Sequence, residues 1–188
     1  MRMKMMGLAL GVLAIALMQS VVAEAAQEFY FSAVGVRQGV FKGESLRKGF
    51  EGKITGLTFD YSVVSPRDLA TGQATGKRQH RPIRIIKPWG ASSTQFFTAL
   101  VTNEVLSNVT IDFFSISVTT GQMVLDHTVK LTNATVTSIT HHSDNGVLEE
   151  KLGKTPPYES IELTFQQIEI LDHLNKGAAM DSWLAIAP

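Results

Sequence analysis

Apolar residues recur at every second position along much of this chain, and this alternation constrains the fold more than any other feature. Phe29, Phe31 and Ala33 alternate with more polar neighbours, and similar runs follow further along. Because successive side chains of a β-strand point to opposite faces, each run predicts a strand with one buried face. The predicted strands lie within residues 29–33, 57–63, 83–85, 109–118, 123–136 and 161–170.

The apolar phase shifts by one residue within three of these runs. The shifts fall at residues 113–114, near residues 133–134 and across residues 166–167. A shift of one residue swaps the buried face, and a β-bulge or a strand that crosses between sheets produces it. Three shifts in long strands favour a curling sheet. We therefore predict a mainly β fold, a closed β-barrel or tight sandwich of antiparallel strands.

One segment has helical spacing instead. Phe96, Phe97 and Leu100 follow the serine pair at residues 92–93. Serine is a favourable residue at a helix N-terminus, and this spacing places the apolar side chains on one face. We predict a single α-helix at about residues 93–104, packed on the side of the barrel.

The N-terminus has the features of a secretory signal peptide. Two cations precede an apolar run at residues 5–18, and Ala23-Glu24-Ala25 offers small residues at the positions that a signal peptidase reads. The run is short for a membrane span, which needs about 20 residues. We predict a signal peptide at 1–25 and a single domain at 26–188, exported to the periplasm or the extracellular space. An uncleaved N-terminal anchor is the alternative, and the uncleaved signal peptide would be the one contact with a membrane.

Composition excludes several classes of function. The 17 basic and 17 acidic residues balance, so no nucleic-acid partner held by bulk charge is expected. The chain has no cysteine, which excludes disulfides, thiolate catalysis and cysteine-based zinc sites. Its 188 residues are enough for one domain with a substantial core.

Motifs that carry chemistry are scarce. His141 and His142, with Asp144 nearby, form the one histidine cluster, but adjacent strand residues point to opposite faces and rarely share an ion. The remaining histidines are isolated and are expected to be solvated. There is no G-x-S-x-G elbow, P-loop or dinucleotide fingerprint. We predict no enzymatic activity, no catalytic residue, no cofactor and no metal, although a hydrolase whose triad is assembled in space stays open.

The most concentrated charge lies at residues 77–81, at the end of a long polar segment, residues 65–80. A segment longer than about 12 residues without secondary structure is usually functional or mobile. Such a basic cluster binds phosphate or an acidic protein surface, or it is a solvated loop. No aromatic residues are interleaved, so single-stranded nucleic acid is not indicated.

Several motifs, in this order and spacing, resemble the Hcp (hemolysin-coregulated protein) family of type VI secretion. SPRDLATGQATGKRQH at 65–80 resembles the family's extended loop, and FFTALVTNEVL at 96–106 resembles its single helix. HTVKLTNATVTSI at 127–139 and YESIELTFQQIEI at 158–170 resemble its long strand and its closing strand. The end of the chain, at 177–183, resembles a tail with a D-x-W element.

The resemblance implies a structural protein. Hcp proteins are compact β-barrels with one helix; six copies close into a ring, rings stack into a hollow tube, and effector proteins can travel inside. Head-to-tail contacts close into rings when the rotation between copies allows it. The implied partners are further copies of the chain, with sheath, spike and effector proteins. The extended loop is then the contact between subunits or rings, with the candidate residues Arg67, Asp68, Lys77, Arg78, Gln79 and His80.

The signal peptide departs from the family pattern. Tube proteins of this family ordinarily assemble in the cytoplasm, which an exported copy would have left. Two hypotheses follow: a ring-forming or tube-forming structural protein, and an exported Hcp-like binding module in the periplasm or at the cell surface that takes no part in secretion.

Overall fold

The computed structural model of the protein describes residues 28–143 and 157–183. The predicted signal peptide lies outside these residues, and so does most of the segment at residues 141–157, including Asp144, which the sequence also predicts to be a long loop. Within the described residues, the elements follow one another as β1 (Glu28–Gly35), β2 (Gly39–Val40), β3 (Ile54–Gly56), β4 (Thr58–Asp60), β5 (Val63–Val64), β6 (Gln79–His80), β7 (Ile83–Pro88), α1 (Ser93–Val101), β8 (Val105–Ile116), β9 (Met123–His142), β10 (Tyr158–Thr164), β11 (Gln167–Asp172) and β12 (Gly177–Ser182).

One large antiparallel sheet contains most of these strands. Its main path runs β2-β1-β8-β9-β10-β7-β4. The 20-residue strand β9 is the spine, since β8 pairs along one side of it and β10 and β11 follow one another along the other side. Strand β12 lies at an edge and pairs with β11. The predicted class, mainly β and antiparallel with one helix, is confirmed.

The prediction of a closed barrel was wrong, because the sheet does not close into a continuous barrel. Strand β3 pairs with β1, whereas β4 pairs with β7 near the other end of the path. The two short strands are separated by Leu57, whose side chain is 54% exposed rather than buried. The amide of Leu57 donates to the carbonyl of Ile86 in β7, at 2.8 Å, so the segment passes at this residue from pairing with β1 to pairing with β7. The predicted strand at residues 57–63 is itself divided at residues 61–62, because β4 pairs with β7 whereas β5 pairs with β6.

The three phase shifts correspond to real irregularities. The register between β8 and β9 shifts between Phe113 and Phe114. Asn133 in β9 has φ of 50°, in the left-handed region that non-glycine residues rarely adopt. The last predicted strand is divided into β10, which ends at Thr164, and β11, which begins at Gln167. The shift at residues 113–114 is thus a bulge, as predicted, whereas Asn133 causes no register shift against β8 and the last strand is interrupted at residues 165–166.

The helix is shorter than predicted. It ends at Val101, and two residues later Asn103 has φ of 48°, which stops helical propagation. Ser92 occupies the N-cap position, but its hydroxyl donates to Glu44 at 3.3 Å and makes no cap hydrogen bond. Ser93 Oγ instead accepts a hydrogen bond from the amide of Gly90, at 3.0 Å.

The core lies between the inner face of the sheet and the buried face of α1. Phe96 of the helix packs against Phe31 and Phe41, at ring-centroid distances of 6.1 and 4.9 Å. Aliphatic side chains of the central strands fill the rest, among them Ile83, Ile85, Leu106, Ile111, Leu131, Ile161 and Leu163. In the part of the chain that the structure describes, no helix is long and apolar enough to cross a membrane.

Candidate assembly surface

A two-stranded arm projects from the sheet where the sequence predicted a long loop. We define the arm as residues 63–80, in which β5 pairs with β6 and an isolated bridge joins Arg67 to Ala74. Most residues of the arm are exposed, and the side chain of Leu69 at its tip is fully exposed. The segment predicted to contact another subunit is thus an extended hairpin and not an irregular loop.

Asp68 organises the tip of the arm. One of its carboxylate oxygens accepts hydrogen bonds from the amides of Ala70 and Thr71, at 3.0 and 2.7 Å, and from the Thr71 hydroxyl, at 2.9 Å. The hydrogen bonds from Thr71 and Ala70 lower the pKa of Asp68 from its usual value. Gly72 completes the turn with φ of 70°, a conformation that favours glycine. The tip therefore has a defined shape that presents Leu69 to solvent.

Arg78 ties the base of the arm to the last strand of the sheet. Its Nε and Nη2 donate to the two carboxylate oxygens of Asp181 in β12, and Nη2 also donates to the carbonyl of Ser182 at 3.0 Å. A bidentate guanidinium–carboxylate pair fixes orientation as well as distance, because the two planar groups match.

His80 completes the connection. Its Nε2 lies 3.0 Å from Oδ2 of Asp181, and its Nδ1 lies 2.6 Å from the hydroxyl of Tyr61. The imidazole packs edge-on against Phe165 and Trp183, at centroid distances of 5.4 and 5.3 Å. The expectation that this histidine is solvated was wrong, since its side chain is only 4% exposed. We call Tyr61, Arg78, His80 and Asp181 the clamp.

Electrostatics favour the clamp in its observed state. Hydrogen bonds from Arg78 lower the pKa of Asp181 from its usual value, and this effect outweighs burial, which acts in the opposite direction. Burial raises the pKa of Tyr61, and the negative charge of Asp181 adds to this effect. At neutral pH the aspartate is therefore ionised and the tyrosine is neutral, as the hydrogen bonds require.

The six candidate contact residues divide into two groups. Arg67, Lys77 and Gln79 are exposed along the arm. Asp68, Arg78 and His80 are engaged within the chain, at the tip and in the clamp. Sequence reasoning missed the clamp because Tyr61 and Asp181 are distant in sequence, although the D-x-W element at the tail had drawn attention to Asp181 and Trp183.

Comparison with known proteins identifies the family. The family model described as "Type VI secretion system effector, Hcp" matches residues 30–171. The chain belongs to the Hcp family. It is also similar to the "Major exported protein" of Pseudomonas aeruginosa, with 25% identity over 163 residues, which is 82% of this chain and 94% of that protein.

Solved structures have the same fold as this Hcp-family chain. A crystal structure of an Hcp protein aligns with a TM-score of 0.75 and 19% identity, over 83% of this chain and 99% of that one. The Hcp1 protein of E. coli EAEC 042 aligns at 0.72 with 22% identity, over 83% and 98% of the two chains. The secreted protein Hcp3 of Pseudomonas aeruginosa aligns at 0.69 with 21% identity, over 85% and 100%.

A second polar cluster of the Hcp-family chain is buried beneath α1. Nζ of Lys87 lies 3.1 Å from Oε1 of Glu159 and donates to the carbonyl of Pro88 at 2.6 Å. The hydroxyl of Ser93 donates to the same glutamate oxygen, at 2.9 Å. His141 Nε2 lies 3.0 Å from the other oxygen of Glu159, so this histidine is not simply solvated either. The cluster joins the first turn of α1 to the sheet.

Among residues 28–143 and 157–183, one histidine–carboxylate group has ligand atoms within 4.8 Å of one another, and it consists of Asp126, His127 and Asp172. Nδ1 of His127 lies 2.8 Å from Oδ1 of Asp126. The carboxylate of Asp172 accepts two hydrogen bonds from Asn175, one from its backbone amide and one from its side-chain amide, each at 2.8 Å. These partners within the chain account for the arrangement, which is a tie between β9 and the turn after β11.

Proposed function

We propose that this Hcp-family chain is a tube subunit that closes head-to-tail into rings of six copies, and that the rings stack into a hollow tube. The observation that carries the proposal is the family match over residues 30–171, together with a fold that aligns with nearly the whole length of solved Hcp structures. Its role is structural, with further copies of the chain as partners and with sheath, spike and effector proteins as further partners.

Two different exposed faces support the stacking of one ring on the next, which needs two complementary surfaces on each copy. The arm presents Leu69 at its tip. Helix α1 carries no charged residue and exposes Phe97 and Val101, with Trp89 beside it. Exposed apolar side chains that cluster on one face are typical of protein–protein contacts.

The candidate contact residues take different roles in this proposal. Arg67, Lys77 and Gln79 supply polar contacts along the exposed arm, which set the register between copies more than their affinity. Asp68 shapes the tip. Arg78 and His80 act within the chain, by holding the base of the arm.

The place of assembly is part of the proposal. We propose that residues 1–25 are removed during export and that the domain 26–188 acts in the periplasm or outside the cell. The name of the Pseudomonas aeruginosa relative, "Major exported protein", supports export. The signal-like N-terminus also favours a second candidate function, that of an exported binding module that does not assemble.

The test is the size of the exported protein. The chain is produced with its own N-terminus, purified from the periplasm and measured by light scattering, and its first residue is determined by mass spectrometry. A mass of six protomers and ring-shaped particles in negative-stain micrographs are expected. A strict monomer at high concentration would refute ring formation and favour the binding module, and an unprocessed N-terminus would refute the predicted cleavage.

A further inference from the structure

The arm is attached to the rest of the chain at its base. Beyond the paired residues of β5 and β6, the described backbone hydrogen bonds of the arm run within it, such as those from Asp68 to Gln73 and from Thr75 to Pro66. These bonds hold the two strands of the arm together, but they do not set the angle between the arm and the sheet. Contacts at the base have to set that angle.

The clamp supplies these contacts from both strands of the arm base and from the edge of the sheet. Tyr61 precedes β5, Arg78 and His80 lie at β6, and Asp181 lies in β12. Asp181 is the central member, because both Arg78 and His80 bond to its carboxylate while Tyr61 is reached through His80. Its side chain is 26% exposed, so the charge-assisted bonds are partly shielded from solvent.

We infer that Asp181 is the positioning residue of the arm, which fixes the arm at one angle to the sheet so that it reaches a neighbouring copy in a single orientation. This inference rests on the proposed function for its biological meaning. A contact element that is already ordered before assembly loses less conformational freedom on binding, so a fixed arm strengthens stacking without adding a contact.

The geometry can be measured without assembly. The chain has no cysteine, so spin labels can be placed at Leu69→Cys on the arm tip and Asn108→Cys on exposed β8 without removing native thiols. Pulsed electron paramagnetic resonance then gives the distance distribution between arm and sheet in dilute protein. The variants are Asp181→Asn, which removes the charge, and Asp181→Glu, which keeps it. The matched control is Glu28→Gln, from the partly exposed pair of Glu28 in β1 with Arg47, outside the arm and the clamp.

We expect one narrow distribution in the parent and in the Glu28→Gln protein, and a distribution about twofold broader with Asp181→Asn, as collective motions of a released hairpin would give. With Asp181→Glu, the distance distribution should be nearly as narrow as in the parent protein. Rings of the Asp181→Asn protein should form normally but stack into tubes about tenfold shorter, as loss of a preordered contact implies.

The outcomes separate the inference from the proposed function. An unchanged distance distribution in Asp181→Asn overturns the inference, whether or not rings form. A broad distribution with normal stacking also overturns it, because the arm angle would then not matter for assembly. A parent protein that never forms rings refutes the proposed function, while the distances still decide whether Asp181 positions the arm. If Asp181→Asn lowers the melting temperature of the protein, Arg78→Gln is measured as well, because it removes the same ion pair by changing the arginine instead of the aspartate.

Discussion

Lys87 and Glu159 face each other as directly paired residues of β7 and β10, and both side chains are fully buried, with Nζ 3.1 Å from Oε1. Lys87 also lies 3.6 Å from Glu44, so one ammonium group faces two carboxylates. A buried pair of this kind contributes little net stability relative to apolar residues of the same size, but removal of one member leaves an uncompensated buried charge. The pair therefore makes the region beneath α1 sensitive to single changes.

Replacement of Lys87 by Met should lower the free energy of unfolding by about 3–5 kcal/mol, because Glu159 would remain buried without its cation. Urea unfolding followed by circular dichroism measures this loss. The matched control is Arg84→Met in the exposed Asp60–Arg84 pair, where a loss of less than about 1 kcal/mol is expected. Equal losses at the two sites would contradict the role assigned to burial, and a Lys87→Met, Glu159→Leu double variant should recover part of the stability.

Gly56→Ala should destabilise the protein by about 1–3 kcal/mol, the usual cost of overpacking a core. A Cβ at this position would lie 1.8 Å from the ring of Phe29, which is itself held between Phe59 and Phe113. Gly76→Ala in the arm is the matched control, since the nearest heavy atom would be 4.0 Å away, and its effect should be close to zero. Thermal unfolding of both variants decides the matter, and an equal melting temperature for the two would show that the ring of Phe29 can move aside.

Acid should release the clamp. The folded pKa of Asp181 lies below its unfolded value because Arg78 stabilises the carboxylate. Its contribution to stability is therefore fully present above the unfolded pKa, near about 3.9, and is lost as the pH falls through the lowered folded pKa. The difference in unfolding free energy between the parent and Asp181→Asn should stay constant from neutral pH down to about pH 4 and shrink below it. A difference that disappears between pH 5 and 7 would point to a histidine instead.

Leu69→Asp should shorten stacked tubes by about tenfold and leave single rings intact, as the loss of a small apolar contact implies. The side chain of Leu69 is fully exposed in the single chain, so its replacement should not change stability. Leu46→Asp is the matched control, because Leu46 is 93% exposed and lies outside the arm. Tube length in negative-stain micrographs provides the measurement, and equally short tubes with both variants would argue against a specific contact at the arm tip.

Local pattern was enough to predict most of the longer strands, one bulge and the helix. The alternation around Phe29 and Phe31 predicted β1, and the phase shift at residues 113–114 predicted the register shift of β8. The helix was predicted to extend three residues too far, because apolar spacing continues to residue 105 while the left-handed Asn103 stops the helix. These are properties of neighbouring residues, which a sequence displays directly.

The clamp and the interruption of the barrel depend on contacts between distant residues. Arg78 and Asp181 are 103 positions apart, so the sequence around either residue does not show that the two form a pair. His80 looked solvated because it lies in a polar segment, yet Phe165 and Trp183 cover it from other parts of the sheet. The interruption at Leu57 lies where the chain changes from pairing with β1 to pairing with β7, and no local periodicity reveals that change of partner.

The order of pairing in the sheet also sets when the chain can fold. Strand β1 pairs with β8, which ends at Ile116, and β8 in turn needs the spine β9. At a synthesis rate of about 5–20 residues per second, roughly 4–16 s pass between the emergence of β1 and that of the end of β8. Such long-range pairing also folds slowly after synthesis. The nascent chain therefore stays unfolded while it is being made, which is compatible with the export that we propose for it.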